Sequence, residues 1–117
     1  MKKILLTCIV AFVVSSCETT TYDDIQENQI ITGPITYTSH VKNIISTYCS
    51  SCHHTGGTAS FRPFTTYEEV KDAMQNTDLL DRIQRQNGEA GQMPQTGRMP
   101  QNKINSIIQW NSDGLVE

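Results

Sequence analysis

Cysteine is too scarce in this chain for a disulfide framework. Four cysteines occur, at positions 8, 17, 49 and 52, and the first two lie in or directly after an N-terminal apolar segment. Only Cys49 and Cys52 remain for a folded domain, whereas small disulfide-stapled domains use several pairs. A structural zinc ion takes four ligands, and the adjacent His53 and His54 would complete only a poor tetrahedron. The cysteine count therefore disfavours both a disulfide framework and a structural zinc site.

A hydrophobic run long enough to cross a membrane is also missing. Residues 4–14 are almost uninterrupted apolar, but about 11 residues fall short of the roughly 20 that a transmembrane helix needs. Lys2 and Lys3 precede this run, and small residues follow it, which is typical of a secretory signal. The ending Val14-Ser15-Ser16-Cys17 resembles the lipobox of bacterial lipoproteins. That resemblance implies removal of residues 1–16 and a lipid on Cys17; the alternative is an ordinary signal peptide with an incidental cysteine.

Basic residues are few in the remaining chain. After residue 16 there are seven Lys and Arg against twelve Asp and Glu, a formal charge of −5. This balance argues against nucleic acid as a partner and against a basic membrane-binding face, so the lipid would have to provide the anchor. Residues 17–36 are polar and acidic, with a turn signal at Gly33-Pro34, and are predicted to form a flexible tether. Alternatively, Ile30, Ile31 and Ile35 pack as a strap on a single domain of residues 37–117.

That domain has the periodicity of helices and no convincing strand pattern. Thr66 and Glu69 have the spacing of a capping box, Thr38 or Ser39 is expected to cap the first helix, and Pro100 and Gly114 are expected to bound the last. We therefore predict an all-α fold of three to four helices. The apolar faces are Val41/Ile44/Ile45/Tyr48, Tyr67/Val70/Met74, Leu79/Leu80/Ile83 and Ile104/Ile107/Ile108/Trp110.

The pentapeptide Cys49-Ser50-Ser51-Cys52-His53 carries the strongest chemical signal. C-x-x-C-H is the pattern of c-type haem attachment. Two thiols at this spacing add to the two vinyl groups of one porphyrin, and the following histidine supplies an axial nitrogen to the iron. A large flat porphyrin would also supplement a core that is thin for its length. Zinc binding and dithiol redox chemistry remain the alternatives, although a thioredoxin-like pair would be expected in a βαβ context.

A second iron ligand is predicted in the Gly- and Pro-rich segment 91–100. It contains two Met-Pro pairs, and a residue before proline is pushed toward extended backbone. Met93 is favoured because it lies mid-loop, whereas Met99 adjoins the last helix and is expected to pack at its start. His54 is excluded because adjacent residues cannot reach both faces of one haem. His40 could in principle serve as the second ligand, but it stands near the start of the first helix and is expected at the surface.

With these residues in place, the chain resembles the small bacterial monohaem cytochromes c of the class I type over residues 37–114. The resemblance rests on the haem pentapeptide after a helix, on Met93-Pro94, and on the Ile104…Ile107…Trp110 helix before Gly114. It implies a cytochrome c-like fold around one covalent haem c. It also implies thioethers on Cys49 and Cys52, proximal ligation by His53 and distal ligation by Met93. His54 and Asn111 depart from the family pattern without affecting a predicted ligand.

These expectations describe an electron carrier rather than an enzyme. His/Met ligation closes the iron to substrates, and the partners would be redox proteins at the membrane to which the exported chain is anchored, on its periplasmic side or at the cell surface. Arg82 and Arg98 are candidates to pair with the haem propionates. The alternative is a five-coordinate haem sensor or peroxidase-like enzyme, although no acid or base is evident near Met93.

Overall fold

The described part of the chain is helical. A computed structural model describes residues 33–117 and contains no strand in that range. The predicted signal peptide, the lipidation site at Cys17 and most of the tether lie outside the described residues. None of the helices in 33–117 is long and apolar enough to cross a membrane. The elements are a π-helical segment (Tyr37–Val41) that runs directly into α1 (Lys42–Tyr48), then α2 (Tyr67–Asn76), α3 (Leu79–Gln84) and α4 (Gln101–Ser112).

The first helical stretch begins earlier than the sequence suggested. Thr36 is the N-cap, in extended conformation, and its Oγ1 accepts a hydrogen bond from the backbone N–H of Ser39 at 3.2 Å. The expectation of a cap at Thr38 or Ser39 is therefore wrong, because Tyr37 is already helical and buried. Ile35 is also buried, and its N–H donates to the Asp113 carboxylate at 2.9 Å. Ile35, at the end of the predicted tether, therefore packs on the domain, whereas Ile30 and Ile31 lie outside the described residues.

Helix α2 begins with the capping box that the sequence predicts. Thr66 Oγ1 accepts from the N–H of Glu69, and the Glu69 carboxylate accepts from the N–H of Thr66. The same carboxylate also accepts from the backbone and hydroxyl of Thr65 at 2.7 and 2.8 Å. These hydrogen bonds, chiefly those from Thr65, hold the pKa of Glu69 below its usual range. The cap sets the face that α2 buries, which carries Val70, Ala73 and Met74.

Helices α3 and α4 follow their predicted apolar periodicity. Leu79 and Ile83 of α3 are buried, and so are Ile104, Ile107 and Trp110 of α4. Pro100 precedes α4 as its N-cap. Beyond α4, Gly114 has a φ of 90°, the left-handed conformation in which glycine commonly ends a helix. The chain can therefore turn back on α4 at this point.

The C-terminal tail closes the core through its backbone carbonyls. The Val116 carbonyl accepts from the backbone N–H of Tyr37 at 2.8 Å and from the indole N–H of Trp110 at 2.7 Å. The Leu115 carbonyl accepts from the Tyr67 hydroxyl at 2.8 Å. The ring of Tyr37 packs on those of Tyr67 and Trp110, with centroid separations of 5.4 and 5.8 Å. This aromatic cluster joins the two ends of the described chain and contributes no residue to the cleft described next.

Candidate functional site

The pentapeptide 49–53 directly follows the C-terminal end of α1. Ile44 and Ile45 anchor α1 in the core, and the Ile45 carbonyl accepts from the backbone N–H of Cys49 at 2.9 Å. The helix then tightens into a turn, in which the Cys49 carbonyl accepts from the N–H groups of Cys52 and His53 at 3.1 and 3.0 Å. The turn thus gathers both cysteines and the histidine at one helix end.

The loop after the pentapeptide packs closely against it. The Cys52 carbonyl accepts from the N–H of Ala59 at 3.0 Å, and His54 Nδ1 donates to the Ser50 carbonyl at 2.8 Å. A Cβ on Gly57 would lie 2.3 Å from the Cys52 carbonyl oxygen and within 3 Å of the His54 ring. Only glycine allows this approach, so the Cys-x-x-Cys-His turn is held by its own loop as well as by α1.

The orientation of the His53 ring is set by two contacts. Its Nδ1 lies 2.7 Å from the Arg62 carbonyl oxygen, and its ring stacks on Phe64 with centroids 4.3 Å apart and planes inclined by 13°. A carbonyl can only accept, so Nδ1 carries the proton and Nε2 retains its lone pair. In metal sites, a hydrogen bond of this kind from the nitrogen that does not bind the metal fixes the histidine tautomer and raises the basicity of the ligating nitrogen. In this tautomer Nε2 is the ring nitrogen that remains free to accept a bond.

A cleft of about 510 Å³ opens beside this turn, within the roughly 300–1,000 Å³ typical of small-molecule and cofactor sites. The residues that line it come from two stretches of the chain, 48–64 around the pentapeptide and 77–96 from just before α3 onward. Cys49, Cys52, His53 and Met93 all line this cleft. Its other apolar lining includes Tyr48, Phe61, Phe64, Leu79 and Ile83.

The two candidate methionines have different surroundings. Met93 is half-buried and lines the cleft, and its N–H donates to the Arg82 carbonyl at the end of α3 at 3.1 Å. Met99 is 2% exposed and belongs to the hydrophobic core, and it is not among the cleft-lining residues. Only Met93 therefore shares a cavity with His53. His40, the other residue considered, is also absent from the lining, and its Nδ1 accepts from the Thr36 N–H at 3.3 Å.

The positive charges at the cleft differ from those expected. Arg82 lines it and pairs with Asp78, with Nε 2.8 Å from the carboxylate. Arg98 does not line it, and its guanidinium instead donates to the Gln101 side chain at 2.5 Å. Arg62 lines the cleft and also provides the carbonyl that binds His53. The sequence reasoning missed Arg62, Phe61 and Phe64 because they lie in a loop, where apolar periodicity gives no signal.

Burial changes the chemistry available to Cys49. It raises the pKa of the Cys49 thiol to about 12, so this sulfur is protonated at neutral pH. The thiolate is the form that attacks disulfides, so this burial disfavours dithiol exchange at Cys49. Within residues 33–117, no three His, Cys, Asp or Glu side chains cluster as a metal-binding group. A four-ligand zinc site is therefore not assembled in this part of the chain.

Comparison with protein-family models, with curated proteins and with solved structures finds no match to the chain. The functional argument therefore depends on the residues of the cleft.

Proposed function

We propose that the protein is a one-electron carrier that holds one haem c covalently within a cytochrome c-like fold. The observation that carries the proposal is the convergence of Cys49, Cys52, His53 and Met93 on a single cleft of about 510 Å³. These residues come from two distant segments, and together they form the donor set of a His/Met-ligated haem c. The largely apolar aromatic and aliphatic lining suits a porphyrin, so the residues present fit the group.

Each cleft residue has a defined part in this proposal. The Cys49 and Cys52 thiols would hold the haem by adding across its vinyl double bonds, each forming a C–S bond while the thiol hydrogen passes to the neighbouring carbon. His53 would bind the iron through Nε2 while the Arg62 carbonyl holds its Nδ1–H, and Met93 would bind through its thioether sulfur. A haem held in this way supplies a ferric/ferrous one-electron couple, and a thioether ligand raises its potential relative to two imidazoles. Ligation by both His53 and Met93 would leave the iron no open position for a substrate, which favours a carrier over an enzyme.

Arg62 and Arg82 are proposed to balance the propionate charges. Both line the cleft, and a guanidinium is suited to bidentate recognition of a carboxylate. Arg82 already pairs with Asp78, whose pKa is lowered mainly by the hydrogen bond from Arg82. Arg98, the other arginine considered from the sequence, is replaced by Arg62 in this proposal because Arg62 lines the cleft and Arg98 does not.

The absorption spectrum of purified protein tests the proposal. We expect ferric and ferrous spectra of a six-coordinate c-type haem, including the weak red band of a ferric iron–thioether bond, and no rapid binding of carbon monoxide. Acid–acetone extraction should leave the haem in the protein fraction. Extraction of free haem would contradict covalent attachment. A spectrum without the red band, together with ready carbon monoxide binding, would instead favour the five-coordinate sensor or peroxidase-like alternative.

We further propose that the carrier is exported and anchored to a membrane through lipid on Cys17, where it would exchange electrons with membrane-bound redox proteins. Cys17→Ser should release the domain into the soluble fraction with its absorption spectrum unchanged, because the acyl chains provide the anchor and each buried CH₂ adds about 0.8 kcal/mol. The intact mass of membrane-purified protein is the direct measurement. A mass that lacks acyl chains, or that places the N-terminus elsewhere, contradicts this part of the proposal.

A further inference from the structure

Gln92 is the one buried polar or charged residue among residues 33–117. It immediately precedes Met93, and its side chain is 9% exposed. Burying an amide is unfavourable unless its donors and acceptor are satisfied. A buried glutamine in a surface loop therefore needs a structural reason, and its hydrogen bonds provide one.

The Gln92 amide joins the chain before Met93 to the chain after it. On the upstream side, its Oε1 accepts from the backbone N–H of Gly88 at 3.0 Å, and its Nε2 donates to Asn87 Oδ1 at 3.1 Å. On the downstream side, the same Nε2 donates to the Pro94 carbonyl at 3.1 Å. The Gln92 side chain thus makes hydrogen bonds to residues before and after Met93.

Asn87 extends this network to the start of α4. Its Oδ1 also accepts from the backbone N–H of Arg98 at 2.7 Å, the residue before the buried Met99. Met93 itself is tied to α3 through the bond from its N–H to the Arg82 carbonyl. The loop that carries Met93 is therefore bound to α3 through one backbone hydrogen bond, and Gln92 and Asn87 link it to Arg98, shortly before α4 begins.

This arrangement matters because methionine is a flexible side chain with three rotatable bonds. An iron–thioether bond forms readily only if the backbone already places the sulfur within reach, since a ligand held in position loses less entropy on binding. Pro94 has no N–H with which to fix the loop itself. Its carbonyl accepts from the Gly97 N–H at 3.3 Å within the loop and from the Gln92 amide at 3.1 Å. Of these two bonds, only the one from Gln92 ties Pro94 to the chain before Met93.

We propose that Gln92 and Asn87 form an amide clamp that positions Met93 as the iron ligand. The inference rests on the proposed haem function. Gln92 and Asn87 are positioning residues: they act through the loop backbone and do not contact the metal. The clamp sets how easily Met93 leaves the iron, and so whether the carrier stays closed to outside ligands.

Imidazole titration of the ferric holoprotein measures this directly, because imidazole binds only after Met93 has left. Gln92→Ala and Asn87→Ala should each tighten apparent imidazole binding on the order of tenfold, as expected for losing hydrogen bonds that favour the ligated loop. Asn87→Asp keeps the Oδ1 acceptor and should stay close to the unmutated protein. Gln86→Ala removes an exposed amide of the same loop and is the matched control.

Urea unfolding followed with two probes distinguishes the positioning of Met93 from a contribution to the overall stability of the protein. The clamp predicts that in both alanine variants the red thioether band disappears at lower urea than the helical circular dichroism signal. Asn87 is exposed, so its variant retains a folded protein even if Gln92→Ala does not. Unchanged imidazole affinity in both alanine variants, or Asn87→Asp behaving like Asn87→Ala, overturns the inference. The unmutated protein distinguishes this failure from that of the proposed function: if it shows the red band, the carrier proposal stands, and if it lacks the band, both fall.

Discussion

Serine at both Cys49 and Cys52 is expected to abolish stable haem attachment. The hydroxyl keeps the approximate size of the thiol but does not form the thioether, so acid–acetone should extract any haem that still associates. We also expect loss of helical circular dichroism, because the apolar residues make a thin core without the porphyrin. The measurements are the haem absorbance of the protein fraction after extraction and the helical signal of the same sample.

Ser51→Ala is the matched control for this experiment. Ser51 lies between the two cysteines and is exposed, so its replacement should leave attachment and helicity nearly unchanged. Single replacement of Cys49 or Cys52 should weaken maturation, because one thioether then holds the haem. Covalent haem on the double serine variant would rule out the attachment sites proposed here.

Met93→Ala and Met99→Ala are expected to have opposite effects. Met93 lines the cleft, so its loss should remove the red thioether band, allow carbon monoxide to bind the ferrous iron and lower the reduction potential. Met99 is 2% exposed in the core, so its loss should leave the band and reduce the free energy of unfolding by about 2–5 kcal/mol through the cavity it creates. Absorption spectra, carbon monoxide binding and urea unfolding of both variants make the comparison.

Each methionine variant serves as the control for the other, since both remove the same side chain from a Met-Pro pair of one loop. Retention of the band in Met93→Ala together with its loss in Met99→Ala would show that the ligand assignment is wrong while leaving electron transfer intact. Retention of the band in both variants would exclude both methionines as the ligand.

The helices were largely predictable because their signals are local. Apolar residues at helical spacing place the buried faces of α1 to α4, and Thr66 with Glu69 forms the predicted capping box. The same local reasoning predicted the N-cap of the first helical stretch at the wrong residue. Thr38 and Ser39 are good capping residues, but Tyr37 is drawn into the helical segment by its burial against Tyr67 and Trp110, so the cap falls at Thr36.

The candidate site was predictable in part for a similar reason. The C-x-x-C-H spacing is contiguous, so its chemistry is readable without a fold. The partner of His53 Nδ1 is the Arg62 carbonyl, nine positions away in a loop, and Arg62 replaces Arg98 at the cleft. Neither contact could be predicted from periodicity. Contacts between loop residues depend on the path of the backbone, whereas periodicity reports only the buried face of a helix or strand.

The amino-acid sequence by itself determined the helical periodicities and the order of donor residues along the chain, because both are properties of neighbouring positions. Tertiary structure decided which methionine enters the cleft. Met93 and Met99 stand in nearly equivalent Met-Pro contexts, and the distinction arises only when Met99 packs into the core. It also decided that Gln92 bridges the two sides of Met93. The partners of a buried amide depend on which polar groups the folded loop places near it. Leaving such an amide without hydrogen bonds would cost about 1–3 kcal/mol of stability.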